Sequence, residues 1–194
     1  KSILDFARCA DINLLDTASS YGNSEQVLGR VGVSNFDIIT KTISLKSGVD
    51  TVIDTFYQSL LNLDQESVDG LLIHDIHNIH DKEFDNLFKR LHGLKQNGLV
   101  NKIGFSTYMP EEVDFLLNYF DFDLIQLPFN VFDNRLIQGG QLKALKDRSI
   151  EVHARSIFLQ GILLNFDNLS DYFSTWKNQF DIYQSLVKSS GLSL

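Results

Sequence analysis

The sequence has little cysteine, no excess of positive charge and no long apolar run, and each shortage removes a class of protein. Its one cysteine, Cys9, cannot form an internal disulfide and suits a reducing compartment. No histidine or basic cluster lies near it in sequence, so Cys9 reads as a small buried helix residue rather than a reactive thiol. There are 17 Lys and Arg against 25 Asp and Glu, a net charge of -8. With a pI of 5.0 and no basic run, a nucleic-acid surface is not expected. No stretch approaches the roughly 18–20 apolar residues of a membrane helix, and no cleavable signal peptide is visible. The expectation is a cytoplasmic protein without a nucleic-acid or membrane partner. No Gly-x-Gly-x-x-Gly follows an early strand, which argues against a dinucleotide-binding open sheet.

What is present is an alternation of strands and helices. The 194 residues suffice for one domain spanning 1–194. Ile3, Leu4, Phe6, Ala7 and Ala10 recur at helical spacing. Strands are expected over Asp11–Leu15, Phe36–Lys41, Val68–His74, Lys102–Ser106, Asp123–Leu127 and Ile150–Arg155. Between them, Val49–Leu63 carries Val52, Ile53, Phe56, Leu60 and Leu63 on one helical face. Asp81–Asn97 does the same with Phe84, Leu87, Phe88, Leu91 and Leu94, and Gly98 stops it. Pro110-Glu111-Glu112 opens another helix, and Leu142 and Leu145 belong to a further one. From Asn165 a loop leads into a helix bearing Tyr172, Phe173 and Trp176. The alternation calls for a parallel sheet with helical crossovers, which a doubly wound sheet and a barrel both satisfy.

The chemistry gathers at strand ends. Asp16-Thr17-Ala18-Ser19-Ser20-Tyr21-Gly22-Asn23-Ser24-Glu25 follows the apolar run Ile12-Asn13-Leu14-Leu15. The pattern then predicts a short helix over Gln26–Gly29, with Asn23 as its cap, Gln26 closing a capping box and Gly29 at its end. Asp16 ends one strand, Lys41 and His74 end two more, and Tyr21 lies on a loop. In a β/α barrel that face carries the active site. An acid, a phenol, an amine and an imidazole at strand ends suit proton transfer: an ammonium stabilises a phenolate, and a carboxylate partners the ammonium. His74, His77 and His80 also form a His-x-x-His-x-x-His run. No carboxylate or cysteine cluster accompanies it, so no metal site is assigned and His77 and His80 read as loop residues.

Asp-Thr-Ala-x-x-Tyr-Gly-x-Ser-Glu with a following Leu-Gly resembles the signature of the aldo-keto reductase superfamily, and the likeness runs from about Ile3 to about Leu164. The resemblance implies an α/β fold, the (β/α)8 TIM barrel, with six of its eight strands here: the first would precede Lys1 and the eighth would follow Leu194. It implies an NAD(P)H-dependent reductase of aldehydes or ketones, with NADP(H) the family habit and NAD(H) the alternative. Asp16, Tyr21, Lys41 and His74 match the family's catalytic positions. Ser106 and Gln126 match residues that hold the nicotinamide amide, while Thr107 departs from the family's Asn. Arg155 stands where an aromatic stacks on the nicotinamide ring, followed by Ser156 and Phe158 in the same cofactor loop. Asn78–Asp81 and the segment after Gly161 are candidate substrate lining. Two other readings stay open: a cofactor-holding regulatory subunit, and an inactive truncated form.

Overall fold

The computed structural model describes residues 2–164 and 169–191. Along the chain run α1 (Ser2–Cys9), β1 (Leu14–Asp16), α2 (Ser24–Val31), β2 (Asp37–Lys41), α3 (Val49–Leu63), β3 (Val68–Ile73) and α4 (Phe84–Gln96). After these come β4 (Val100–Ser106), α5 (Pro110–Tyr119), β5 (Leu124–Pro128), α6 (Arg135–Gln138), α7 (Gln141–Asp147), β6 (Glu151–Arg155) and α8 (Lys177–Ser189). The residues gather into two compact units. One is Lys1–Leu127 with Arg135–His153, the other Pro128–Asn134 with Ala154–Leu194.

The sheet has the order β1-β2-β3-β4-β5-β6, each strand beside its neighbour in sequence. The ladders from β1 to β5 are parallel. A doubly wound sheet reverses its order at a switch point; this one does not, which is the winding of a β/α barrel. Six of the eight strands of that fold are present among the described residues. Inside the first unit Ile39, Leu72 and Leu124 are fully buried together, with Leu14 against them. Gly70, opposite Ile39 in the ladder, makes this possible. A Cβ there would lie 2.6 Å from Ile39 Cδ1 and 2.8 Å from Leu124 Cδ2. Burying each such side chain contributes about 1.5–3 kcal/mol.

Three local expectations are corrected. The first strand begins at Leu14, not Asp11. Asp11 takes φ +56° and the Ile12 N–H returns to the Ala7 carbonyl at 2.9 Å, so residues 11–12 finish the turn that closes α1. Cys9 is exposed rather than buried. It falls at i, i+3 spacing on the stripe of Ile3 and Phe6, both exposed, whereas the helix buries Leu4 and Ala7. The helix after the motif is longer than foreseen. Asn23 makes no side-chain cap and the helix ends at Gly32, whose φ is +87°. Gly29 is therefore an interior residue with another task. A Cβ on it would collide with the Asn62 carbonyl oxygen and lie 2.9 Å from the Leu63 carbonyl carbon, so its bareness lets α2 lie directly against the end of α3.

In the second unit, Tyr172, Phe173 and Trp176 sit on a 3-10 turn, Asp171–Trp176, and α8 starts only at Lys177. The expected loop from Asn165 begins outside the described residues. The short α6 had no apolar repeat to announce it.

Candidate active site

The parallel register delivers the strand-end residues to one side of the sheet. Asp16 ends β1 opposite Ile39, Lys41 ends β2 opposite Leu72, and His74 follows the last residue of β3. Ser106 ends β4 and pairs with Gln126 of β5. The Thr107 N–H continues that ladder to the Gln126 carbonyl at 2.9 Å.

Their side chains meet. Lys41 Nζ donates to Asp16 Oδ2 at 2.7 Å and to the Thr17 carbonyl at 2.8 Å. The Lys41 side chain is 1% exposed and that of Asp16 36%, so the ammonium is interior and the carboxylate faces the opening. Gln126 Nε2 donates to the other oxygen, Asp16 Oδ1, at 2.7 Å. β1 and β5 are four strand steps apart, about 19 Å in a flat sheet at roughly 4.8 Å per step. The sheet must therefore curve for this bond to form.

Tyr21 lies on the loop between β1 and α2. Its N–H donates to the Ala18 carbonyl at 3.0 Å, its own carbonyl accepts from the Ser24 N–H at 3.1 Å, and Gly22 turns the chain at φ +60°. The ring is 47% exposed. Lys41 Nζ sits over its face, 4.9 Å from the centroid, a contact worth about 0.5–2 kcal/mol. The His74 ring meets it edge-on, with centroids 5.8 Å apart and planes at 78°. The His74 N–H is 3.4 Å from Thr42 Oγ1. Acid, ammonium, phenol and imidazole thus form one continuous group open to solvent.

The three histidines of the run have different surroundings. His74 packs on Tyr21, His77 is exposed, and His80 lies 6.3 Å from the Phe115 ring. Asn78, expected as substrate lining, is buried. Its Oδ1 accepts the Leu45 N–H at 3.3 Å, tying the loop after β3 to the loop after β2.

Ser106, Thr107 and Gln126 are all buried and offer hydroxyls and an amide side by side. Sequence reasoning did not foresee the bond from Gln126 to Asp16, nor that Glu25 and Thr40 would be buried against each other, Thr40 Oγ1 donating to Glu25 Oε1 at 2.7 Å. The Ser-Glu that ends the motif was the available signal, since a carboxylate in a half-apolar helix needs a partner.

Arg155, Ser156 and Phe158 belong to the second unit. The Arg155 carbonyl accepts the Phe129 N–H at 3.0 Å. Ser156, Leu159, Gln160 and Gly161 take φ of 59°, 45°, 57° and 91°. Non-glycine residues held there carry strain of the kind found at ligand-binding turns. Ser156 borders a cavity of about 590 Å³ lined also by Phe132, Tyr172, Phe173, Trp176 and Phe180, a volume typical of small-molecule sites.

The model of the aldo/keto reductase family matches residues 1–193. An aldo-keto reductase of Mycobacterium sp. (strain KMS) is 30% identical over 118 residues, 58% of this chain and 42% of that protein. The chain thus spans less than half the length of the curated relatives it matches. A glycerol dehydrogenase from Gluconobacter oxydans has a similar structure, with a TM-score of 0.77 at 23% identity, covering 98% of this chain and 68% of the other. So does an aldo-keto reductase from Bacillus halodurans in its holo form, with a TM-score of 0.73 at 22% identity, covering 88% and 60%.

Proposed function

The chain belongs to the aldo/keto reductase family, and from that premise we propose that its strand-end cluster reduces an aldehyde or ketone to an alcohol with a nicotinamide cofactor. The observation that carries the reading is the buried Lys41 ammonium, bonded to Asp16 at 2.7 Å and lying over the Tyr21 ring, with the His74 ring edge-on to that same ring. Tyr21 is the proton donor. Its hydroxyl gives a proton to the carbonyl oxygen, and the negative charge left on the phenol is stabilised by the nearby ammonium. Asp16 holds Lys41 in place through their 2.7 Å hydrogen bond. His74 donates a hydrogen bond to the carbonyl oxygen and aligns it.

The donor set fits the cofactor. A carboxamide needs both a donor and an acceptor, and Ser106 with Gln126, paired across β4 and β5, supplies both; Thr107 adjoins them. Ser106, Thr107 and Gln126 would hold the amide; for Arg155, Ser156 and Phe158 the cofactor role rests on the family resemblance alone. When bound, the cofactor supplies the hydride. NADP(H) is the first expectation and NAD(H) the second. A small carbonyl substrate in a cytoplasmic setting completes the proposal. Among the described residues no helix is long and apolar enough to cross a membrane.

The test is carbonyl reduction by the natural full-length protein with NADPH and NADH, beside its Tyr21→Phe variant. Turnover should fall by about 10²–10⁴-fold in the variant while cofactor binding persists. A folded variant that keeps wild-type turnover would show that another group donates the proton. Cofactor binding without turnover by the wild type would favour the regulatory subunit.

A further inference from the structure

We propose that Ser24 and Glu25, at the first turn of α2, act as positioning residues that hold Tyr21 over Lys41; this rests on the reading of Tyr21 as the proton donor. Glu25 is 4% exposed, although it carries a carboxylate. Its partner is Thr40, fully buried, whose hydroxyl donates to it at 2.7 Å. Next to it the Ser24 hydroxyl is bonded to the Thr17 hydroxyl.

The two threonines are what give these bonds their consequence. Thr17 directly follows Asp16 and its carbonyl accepts from Lys41. Thr40 directly precedes Lys41. Successive residues on a strand face opposite ways, so Thr40 is turned toward α2 when Lys41 is turned toward the site. The start of α2 therefore grips β1 and β2 from behind, one residue away from each member of the ion pair.

Between the two grips runs the loop that carries Tyr21. Burial alone does not hold this ring, since about half of it is exposed. The loop's inner bonds, Tyr21 N–H to Ala18 and Ser24 N–H to Tyr21, shape it but do not attach it to the sheet. The Ser19 hydroxyl reaches the Lys41 carbonyl only at 3.4 Å. The attachment is made by the Thr17–Ser24 and Thr40–Glu25 pairs. They fix the ring relative to the ammonium, and a displacement of about 1 Å between reacting groups can cost on the order of 10²-fold in rate.

The experiment compares Thr40→Val, Thr40→Ser and Ser24→Ala in the full-length protein. Amide hydrogen exchange is read over residues 18–23 and over β3. Turnover and NADPH affinity are measured on the same samples. Thr40→Val and Ser24→Ala should speed exchange at 18–23 and lower kcat by about ten- to hundredfold, with NADPH affinity and β3 exchange unchanged. Thr40→Ser, which keeps the hydroxyl, should restore both. Unchanged exchange at 18–23 in either folded variant overturns the proposal. So does faster exchange with wild-type kcat, or a loss shared equally by kcat and NADPH affinity, which would mark general damage. Should Thr40→Val not fold, Ser24→Ala decides, because it removes one half-buried hydroxyl. If the wild type reduces no carbonyl, the functional reading fails while exchange at 18–23 still reports on the grips.

Discussion

Replacing Lys41 by Met keeps the length of the side chain and deletes its charge, and the two ends of the ion pair should respond unequally. The ammonium makes two hydrogen bonds, to Asp16 at 2.7 Å and to the Thr17 carbonyl at 2.8 Å. Removing one partner of a buried pair costs about 3–5 kcal/mol, because the other charge is stranded. In Lys41→Met the stranded group is Asp16, whose side chain is 36% exposed and which keeps its bond from Gln126. Water takes up the vacated oxygen, so the loss should be nearer about 2–3 kcal/mol. In Asp16→Asn the stranded group is an ammonium that is 1% exposed, and the loss should reach the full range of about 3–5 kcal/mol. Thermal unfolding followed by circular dichroism measures both, at about 2–4 °C per kcal/mol for a chain of this size. The double variant should be more stable than the sum of the two predicts, with a coupling of at least about 1 kcal/mol. Losses that add to within about 0.5 kcal/mol, or a Lys41→Met loss larger than that of Asp16→Asn, would refute the reasoning.

At the opposite ends of the strands, Lys102 bonds Asp69 at 2.9 Å and Glu151 at 2.8 Å. The hydrogen bond from Lys102 holds Glu151 below the usual carboxylate range against the opposing effect of burial, with His153 assisting. That stabilisation is complete above the unfolded pKa and is lost as pH falls through the lower folded one. Glu151→Gln should therefore lower the melting temperature at neutral pH, and by less near pH 3, below the ordinary Glu value of about 4.3, where the stabilisation is already declining. An equal difference at both pH values would count against the ion pair as its source. Burial lowers the Lys102 pKa, but its bonds to Glu151 and Asp69 outweigh this and raise it overall, so its contribution persists until strongly alkaline pH. Gly29→Ala should destabilise by roughly 1–3 kcal/mol in the same thermal assay despite the better helix propensity of Ala. Stabilisation by this change would mean that α2 does not rest on the Asn62 carbonyl.

What could be read in the sequence depended on how far each partner lies along the chain. The helix Val49–Leu63 was legible to the residue, because Val52, Ile53, Phe56, Leu60 and Leu63 mark one face and a glycine precedes it. The strand ends at Lys41 and Ser106 were legible because apolar runs stop there. Asn23 misled because capping chemistry is judged from side-chain type, whereas its backbone at φ -103° and ψ 19° is not in the extended form an N-cap usually takes. Gly29 misled for a similar reason: a glycine near a helix end reads as a stop, and only the neighbouring helix shows that it is a contact. A small thiol is usually interior, but α1 carries two apolar stripes, and which of them faces the core is set by its neighbours rather than by α1 itself. The bond from Gln126 to Asp16 joins residues 110 apart, and no local pattern encodes it.

That bond also makes the site and the curvature of the sheet the same fact. Asp16 accepts one hydrogen bond from β2 and another from β5, strands that are not neighbours in the ladder. A flat or doubly wound sheet of the same strands would leave Lys41 bonded but put Gln126 far out of reach. The carboxylate that holds the Lys41 ammonium therefore accepts its second hydrogen bond only when β5 has come round to face β1. Ile39 and Leu124 meet above Gly70 by the same approach, so apolar packing and the polar site draw the strands together at two levels. Substitutions that disturb this layer, far from any substrate, should then loosen Asp16 before they unfold the chain, and through Asp16 the Lys41–Tyr21 contact on which proton delivery is proposed to depend.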